Sequence, residues 1–343
     1  MSDTAVTESR AARLGLPYRA TATWEAPDTR RVLQLSLAGL WLLDAILQYQ
    51  SFMFTRAFGQ MLAASAAGNP AVVARPITWA ARLVEQHGSP LNTTFATVQL
   101  LLALGIAWRP TLKAALAASI AWSLSVWWLG EGLGGVLTGS VSPVSGAPGA
   151  VILYALLAVL LWPADRAQEP APFVAARAVG ARASRALWLV LWASLAYFSL
   201  LPASRSGQGL HNRISGMAAG EPGWLAAADK NAAALLAQHG LAASVALAVV
   251  LVVIAAGVYL PAPAARAAIV LAVVVAAAIW VFGEALGTIF TGSGTDPDSG
   301  PLLALLALAY WPARAQAPAR AQAPARARRT AQTVRRAAQI RGQ

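Results

Sequence analysis

The sequence predicts an all-α polytopic membrane protein with about eight transmembrane helices, arranged as two tandem four-helix repeats. The first observation is composition: of 343 residues, 57% are apolar and 12% are charged, with a mean hydropathy of +0.56. In a typical soluble domain about a quarter of the residues are charged. The other two observations are an internal repeat and a one-sided distribution of basic residues. Together they exclude an ordinary soluble globular protein.

Eight apolar segments are the predicted membrane spans. A helix needs about 20 mostly apolar residues to cross a hydrocarbon core about 30 Å thick. The last segment is short for this purpose, because it contains only about 12 residues. The predicted spans are residues 32–49, 90–108, 112–137, 145–162, 183–201, 240–260, 265–290 and 300–311.

The repeat consists of matching segments about 153 positions apart. "WWLGEGLGGVLTGS" at 127–140 matches "WVFGEALGTIFTGS" at 280–293, and segment 66–88 aligns without gaps on segment 218–240. Each copy contains four predicted helices, so the chain returns to its starting side and both copies have the same orientation. The predicted relation between them is a pseudo-two-fold axis along the membrane normal.

These boundaries divide the chain into five parts. They are a cytoplasmic N-terminal segment (1–31), a first membrane repeat (32–163), a cytoplasmic linker (164–182), a second membrane repeat (183–312) and a basic, disordered cytoplasmic tail (313–343). Prolines in the Ala-Pro-Ala-Arg-Ala-Gln repeats of the tail oppose a continuous helix. Within each membrane repeat, the long connection after the first span is predicted to contain a short outer helix, over 75–86 and 226–238.

The basic residues indicate that both termini are cytoplasmic. With eight spans, 20 of the 26 Lys and Arg residues fall on the side of the termini and 6 on the opposite side, and cytoplasmic loops are the ones enriched in Lys and Arg. The N-terminal region has no apolar signal-peptide core, so the first span is expected to be an uncleaved anchor. The predicted location is the plasma membrane, with His87, His211 and His239 outside.

Glu131 and Glu284, the carboxylates of the repeated motif, are the leading candidates for a functional site. They are predicted near the outer ends of the third and seventh helices, where a charge facing lipid would be unfavourable. Two glycines with a spacing of four residues accompany each carboxylate: Gly130, Gly134, Gly283 and Gly287. Small residues at this spacing on one helical face allow a second helix to approach closely. The prediction is therefore that the glycines form helix-packing contacts and that the carboxylates face protein.

Other polar residues are predicted at the same depth, where they would complete an outward-facing pocket. They are Asp44, Gln48, His87 and His239. Histidine and glutamate together can hold a metal ion or pass a proton. The alternative is structural: the glutamates cap a helical turn or accept hydrogen bonds, and the histidines simply end helices. The candidate donors are Trp127, Trp280, Thr138 and Thr291. Asp44 has no counterpart in the second copy, as expected either of a single site in a duplicated frame or of a buried aspartate that hydrogen-bonds to a neighbouring helix.

The four-helix unit with a long loop after its first helix, and the segment "LAGLWLLDAILQYQSFMF" at 37–54, resemble the DoxX-like family of small bacterial membrane proteins, here in tandem. The resemblance implies a four-helix membrane bundle with a link to respiratory or quinone-associated complexes. It carries over no catalytic residue.

Three functional hypotheses follow. The first is a non-enzymatic subunit or binding protein with an outward-facing polar pocket, and it is favoured because the inner ends of the spans are almost entirely Ala, Leu and Val. The second is a transporter for a small solute or ion, and the third is a quinone- or respiration-linked component. An enzyme is less favoured, because the chain has no nucleophile-base motif and no zinc signature.

The expected partners are the lipid bilayer, anionic lipid headgroups bound by the basic tail, and another membrane protein. Specific nucleic-acid binding is not expected, since no aromatic or fold motif accompanies the charge. The sequence contains no cysteine, which excludes disulfides and thiolate metal sites. It identifies no cofactor and no metal.

Overall fold

The computed structural model describes residues 28–139, 141–164, 171–217 and 221–313, and these contain helices, turns and loops but no strand. The predicted tail beyond residue 313 and nearly all of the N-terminal segment lie outside the described residues. Thirteen α-helices are present in the described ranges, with short 3₁₀ turns between several of them. They are α1 (Thr29–Leu47), α2 (Arg56–Ala64), α3 (Ala71–Gln86), α4 (Gly88–Ala107), α5 (Leu112–Leu129), α6 (Ala150–Leu160), α7 (Val174–Val179), α8 (Ala181–Ser199), α9 (Pro202–Arg205), α10 (Gly207–Met217), α11 (Gly223–Gly257), α12 (Ala262–Phe282) and α13 (Ser299–Ala309).

Four of these helices, α4, α5, α11 and α12, are long and apolar enough to cross a membrane. They expose large apolar side chains, among them Leu101, Val249 and Val274, each more than half accessible, as expected of a surface in contact with lipid. The prediction of an all-helical protein with membrane-spanning helices is confirmed to this extent. The full set of eight spans remains a prediction.

The other four predicted spans are also helical, but they are not long and apolar enough to count among the membrane-spanning candidates. Two of them are less apolar, and the other two are shorter. Helices α1 and α8 contain 19 residues each but are less apolar. Helices α6 and α13 contain only 11 residues each, which corresponds to about 16 Å of helix. They pack against each other at the centre of the core, and Tyr154, Leu157, Leu302 and Leu306 are fully buried. Because protein covers nearly all of α6 and α13, with Leu308 the exposed residue of the two helices, the length rule for lipid-exposed spans does not apply to them.

Helix α1 shows how the sequence positions the core. The Asp28 carboxylate accepts a hydrogen bond from the Arg30 N–H at 3.2 Å and so caps the helix, which satisfies one of the first free N–H groups. Leu37, Trp41 and Asp44 are buried, and their spacing places them on one helical face. This face packs against α4 and α13.

Both segments predicted to form short helices in the long connections are helical. One is α3, and the other is the first part of α11, whose helical geometry is interrupted at His239 (φ −125°, ψ 21°). His87, between α3 and α4, has nearly the same backbone conformation (φ −129°, ψ 37°). In both places the following residue is a glycine that begins or continues an apolar helix.

The third and seventh helices were predicted too long, because α5 ends at Leu129 and α12 at Phe282 rather than at 137 and 290. The glycine-rich segments that follow turn into the left-handed region, for example at Gly134 (φ 61°) and Gly287 (φ 71°). Left-handed residues end an α-helix. The prediction that Gly130, Gly134, Gly283 and Gly287 form small-residue helical faces is therefore wrong.

These glycines instead permit close approach of loops. A Cβ on Gly134 would overlap the carbonyl oxygen of Pro148, and one on Gly283 would overlap that of Val144. A Cβ on Gly287 would lie 2.7 Å from the carbonyl carbon of Pro297. At Gly130 the nearest atoms belong to the preceding turn of α5. The contacts of the first three glycines are thus with loop backbone and not with a neighbouring helix.

Candidate functional site

A cavity of about 490 Å³ lies between α1–α5 and the loop that precedes α13. Its wall combines aromatic rings, carboxylates and amides, and we call it the acidic cavity. The aromatic residues are Trp41, Phe58, Trp79, Phe95 and Trp122, the acidic residues are Asp44, Glu131, Asp296 and Asp298, and the amides are Gln48 and Gln99. Trp79 is 61% exposed and lies at the rim, whereas Trp41 is buried.

Asp44 lies deep in the bundle, where its carboxylate accepts a hydrogen bond from the Tyr154 hydroxyl of α6 at 2.9 Å. Both residues are buried. The ring of Tyr154 packs on that of Trp41, with 4.2 Å between the ring centroids, and Trp41 Nε1 donates to Ser119 Oγ at 3.1 Å. A chain of contacts therefore joins α1, α5 and α6 beneath the acidic cavity.

Gln48 joins α1 to α4. Its side-chain amide donates to Asn92 Oδ1 at 2.6 Å, and the Asn92 amide donates back to the Gln48 carbonyl oxygen at 2.7 Å. Both side chains are buried. Because its side chain is held by Asn92, the main role of Gln48 in the wall is to join α1 to α4.

Glu131 lies at the N-terminus of α6. Its Oε1 accepts a hydrogen bond from the Val151 N–H at 3.1 Å, where free N–H groups and the helix dipole favour a negative charge. The buried Oε2 forms no hydrogen bond of normal geometry with the described residues, although the nearby Ala150 N–H also favours the charged form of Glu131. Trp127 donates to the Pro148 carbonyl at 2.7 Å instead of to Glu131.

Glu284 occupies the matching place at the N-terminus of α13. The Gly300 N–H donates to its Oε2 at 3.0 Å and the Ser299 N–H to its Oε1 at 3.3 Å, and the Ser299 hydroxyl also donates to Oε1. Glu284 is buried, but it does not line the acidic cavity. The geometry thus gives both glutamates a capping contact with the next short helix.

Asp296 and Asp298 were missed by the sequence analysis. They belong to the loop before α13, far along the chain from Asp44, and the Asp298 N–H donates to Asp296 Oδ1 at 2.8 Å. The segment "TDPDSG" carries a recognisable turn signal. No local signal indicates that this loop closes a cavity formed by α1–α5.

The carboxylates of the acidic cavity form no ion pair with any basic side chain that the structure describes. Burial, and then the nearby charge of Glu284, raise the pKa of Asp298 well above its ordinary value, and burial raises the pKa of Asp296. Beyond the end of α5, burial and the charge of Asp296 raise the pKa of Glu131 to about 8. Negative charge in this cavity is therefore poorly compensated by the protein.

His87 and His239 do not belong to the pocket, contrary to the prediction. Both are exposed at helix interruptions, and neither lines the acidic cavity. His239 Nδ1 instead contacts the Leu235 carbonyl oxygen at 3.0 Å. Within the described ranges, no group of three or more His, Asp or Glu residues is arranged to hold a metal ion.

A second cavity, of about 340 Å³, lies among α8–α12 and the loop before α6. Its wall is aliphatic apart from Phe282 and four serines, and it contains no charged side chain. We call it the apolar cavity. It is closed by Ser142 and Val144 of the first repeat, and nearby Arg213 of α10 donates to Ser145 of the same loop at 2.9 Å.

Comparison of the chain with protein-family models, with curated proteins and with solved structures finds no match.

Proposed function

We propose that this protein is a non-enzymatic membrane binding protein whose ligand site is the acidic cavity. The observation that carries the proposal is the difference between two cavities that similar elements enclose. One has aromatic and carboxylate walls, while the other has aliphatic walls. A volume near 490 Å³ lies in the usual range of small-molecule sites, about 300–1,000 Å³.

The sequence repeat supports treating the cavities as equivalent places in two halves of one bundle. With the repeat alignment, Phe58 corresponds to Leu210, Phe95 to Leu247 and Trp122 to Val275, and each member of these pairs lines its own cavity. Each cavity is also closed by a loop of the other half. Reciprocal closure of this kind is what a pseudo-two-fold axis between the repeats would produce.

The Asp44–Tyr154 pair beneath the acidic cavity likewise has no polar equivalent beneath the apolar cavity. The buried positions of α1 and α8 match when Trp41 is aligned with Trp192, which sets Asp44 against Leu195. Val151 donates to Glu131, and Gly300 donates to Glu284. When Val151 is aligned with Gly300, Tyr154 corresponds to Leu303. The Asp44–Tyr154 pair thus corresponds to two buried leucines, so this part of the bundle does not need polar groups in order to pack. Retention of the polar pair beneath the acidic cavity supports a role in binding.

In the proposed topology, eight helices cross the plasma membrane, both termini are cytoplasmic and the acidic cavity faces outward. The chain has no cysteine, so single cysteines can report sidedness directly. Ser89 and Lys113 are exposed; Ser89 lies at the start of α4, and Lys113 lies at the start of α5, just beyond the opposite end of α4. We expect Ser89→Cys to react with an impermeant maleimide in intact cells, and Lys113→Cys to react only after the membrane is opened. Reaction of both in intact cells would contradict the topology.

Binding is favoured over conduction because the interior beneath the acidic cavity is closed. Leu37, Trp41 and Leu157 are fully buried there, and they belong to one continuous apolar core. A polar path from Asp44 to the other end of α1 would have to cross this layer. The resemblance to the DoxX-like family implies a quinone-linked role, and binding of a quinone to the acidic cavity would support that role.

The binding proposal predicts that blocking the acidic cavity abolishes binding, while the same change in the apolar cavity does not. Ala80 lines the acidic cavity and Ala232, its counterpart in the repeat, lines the apolar one. We expect Ala80→Phe to lower ligand affinity about tenfold or more, which corresponds to about 1.4 kcal/mol, and Ala232→Phe to leave it unchanged. The reporter is quenching of Trp fluorescence by a panel of organic cations, organic anions and neutral quinones such as menadione.

The two substitutions serve as controls for each other, since both place a large ring in a helix next to a cavity. If no member of the panel binds the parent protein, or if both substitutions lower affinity equally, the acidic cavity is not the ligand site. Saturable binding of menadione alone would retain the site and favour the quinone-linked role.

A further inference from the structure

We infer that the ligand of the acidic cavity is an organic cation: an amine, quaternary ammonium or phosphonium group with an apolar body. This inference rests on the proposed function and adds the chemical class of the ligand. It follows from three properties of the wall, which are its uncompensated carboxylates, its aromatic faces and its unpartnered acceptor atoms.

The carboxylates require a positive partner that the described part of the chain does not provide. Asp44, Glu131, Asp296 and Asp298 line one cavity, and among the described residues none of them forms an ion pair. Bringing several carboxylates together out of water is unfavourable unless they are protonated or a cation binds them. A cationic ligand would remove this cost, whereas an anionic ligand would add to it.

The aromatic residues indicate that this cation is organic. Trp41, Trp79 and Trp122, with Phe58 and Phe95, surround the same space. The faces of aromatic rings attract cations, and rings of this kind form the cages that bind quaternary ammonium groups. A bare metal ion would instead need several oxygen ligands at short range, and no such group is found in the described residues.

The unpartnered acceptors point the same way. Among the described residues, two acceptor atoms of wall residues, Glu131 Oε2 and Gln99 Oε1, and one donor atom, Trp122 Nε1, are buried without a hydrogen-bond partner. Buried acceptors are normally satisfied, so the wall has more unpartnered acceptors than donors, a surplus that a donor group on a cationic ligand would match. The apolar cavity provides a built-in comparison, because it has no carboxylate and Phe282 is its single aromatic residue.

The test uses two probe ions of the same shape and opposite charge, tetraphenylphosphonium and tetraphenylborate, with triphenylphosphine oxide as a neutral reference. Binding to the full chain in lipid nanodiscs is measured by equilibrium dialysis, and binding to empty nanodiscs is subtracted. We expect tetraphenylphosphonium to bind at least about tenfold more tightly than either other probe. Equal affinity, tighter binding of tetraphenylborate, or no binding of tetraphenylphosphonium would overturn the inference.

Variants of the wall identify the groups responsible. Asp296→Asn with Asp298→Asn keeps the size of both side chains and should lower tetraphenylphosphonium affinity about tenfold or more. Phe95→Leu should lower it several-fold, because it removes one aromatic face, and its counterpart Leu247→Phe in the apolar cavity should have no effect. If the Asn variants bind the cation as the parent does, carboxylate recognition is wrong. Loss of binding by Ala80→Phe in that case would still support the proposed function.

Proton competition gives an independent reading. The titratable groups that face the cavity or its carboxylates among the described residues are Asp44, Glu131, Tyr154, Glu284, Asp296 and Asp298. The folded protein raises the pKa of Glu131 from 4.5 to about 8, so it holds a proton there that the unfolded chain has released. Stability without ligand should therefore be greatest at low pH and decline as pH rises from 4.5 to about 8, since the unfolded state binds fewer protons. Cation affinity should rise over the same window, and affinity independent of pH would contradict binding by these carboxylates.

Discussion

Gly134→Ala is expected to lower the free energy of unfolding by about 2–5 kcal/mol. Two effects combine at this position. Gly134 has φ 61°, where an L-residue costs about 1–2 kcal/mol, and its added Cβ would overlap the carbonyl oxygen of Pro148. Backbone cannot move aside as a flexible side chain can, so the loop before α6 would be displaced. The measurement is the unfolding midpoint in detergent.

The neighbouring Gly139 separates these two effects. It has φ 72° but nothing within 4 Å of an added Cβ, so Gly139→Ala should cost only the backbone strain. The second repeat offers the same comparison, with Gly287 in close contact with Pro297 and Gly292 (φ 80°) in open space. Equal losses for Gly134→Ala and Gly139→Ala would mean that the close approach of the loop is not a source of stability.

Glu284→Ala is expected to have an effect at least as large, a loss of about 3–5 kcal/mol. The carboxylate receives the N–H groups of Ser299 and Gly300 and the Ser299 hydroxyl, and hydrogen bonds to charged groups contribute about 1.5–3 kcal/mol each. Its removal leaves the N-terminus of α13 buried without an acceptor. The measurement is again the unfolding midpoint, combined with helix content from circular dichroism.

Two further variants grade this effect. Ser299→Ala removes only one donor and should cost about 1 kcal/mol. Glu131→Ala should cost less than Glu284→Ala, because Glu131 is less buried and has a partner on only one of its oxygens. If Glu131→Ala proves as destabilising as Glu284→Ala while ligand binding is unchanged, Glu131 is a capping residue alone. The expected division is that Asp44→Asn and Glu131→Gln impair binding, while Glu284→Gln mainly lowers stability.

The predicted helices were recovered well, but their ends were not. Each of the eight predicted spans contains a helix, because long apolar segments leave few other ways to satisfy the backbone. The glycine-rich motif was predicted as helix, since its composition is apolar and small. It is a turn, because Leu133, Gly134, Leu286 and Gly287 adopt positive φ angles that carry no hydropathy signal.

The candidate site was recovered in part. Asp44, Gln48 and Glu131 line the acidic cavity, while Glu284 lies beside it and the two histidines lie away from it. A polar residue within an apolar segment is easily recognised in a sequence, and this identified Asp44, Gln48 and Glu131. The histidines are placed by the ends of α3 and the first part of α11, where they point to no cavity. Aromatic wall residues such as Phe58 and Phe95 could not be separated from ordinary core residues.

The sequence by itself indicated an all-helical protein with apolar, membrane-compatible helices, the two similar glutamate motifs and the polar Asp44 within an apolar segment, because composition and periodicity are local properties of the chain. Only the tertiary structure decided which groups share a cavity. Asp296 and Asp298 join Asp44 and Glu131 because the loop before α13 folds across to α1–α5, and the loop before α6 closes the apolar cavity among α8–α12. The physical reason is that each cavity is closed by a loop from a distant part of the chain. Which carboxylates accumulate, and where their charge remains uncompensated, therefore depends on contacts between residues far apart in the chain.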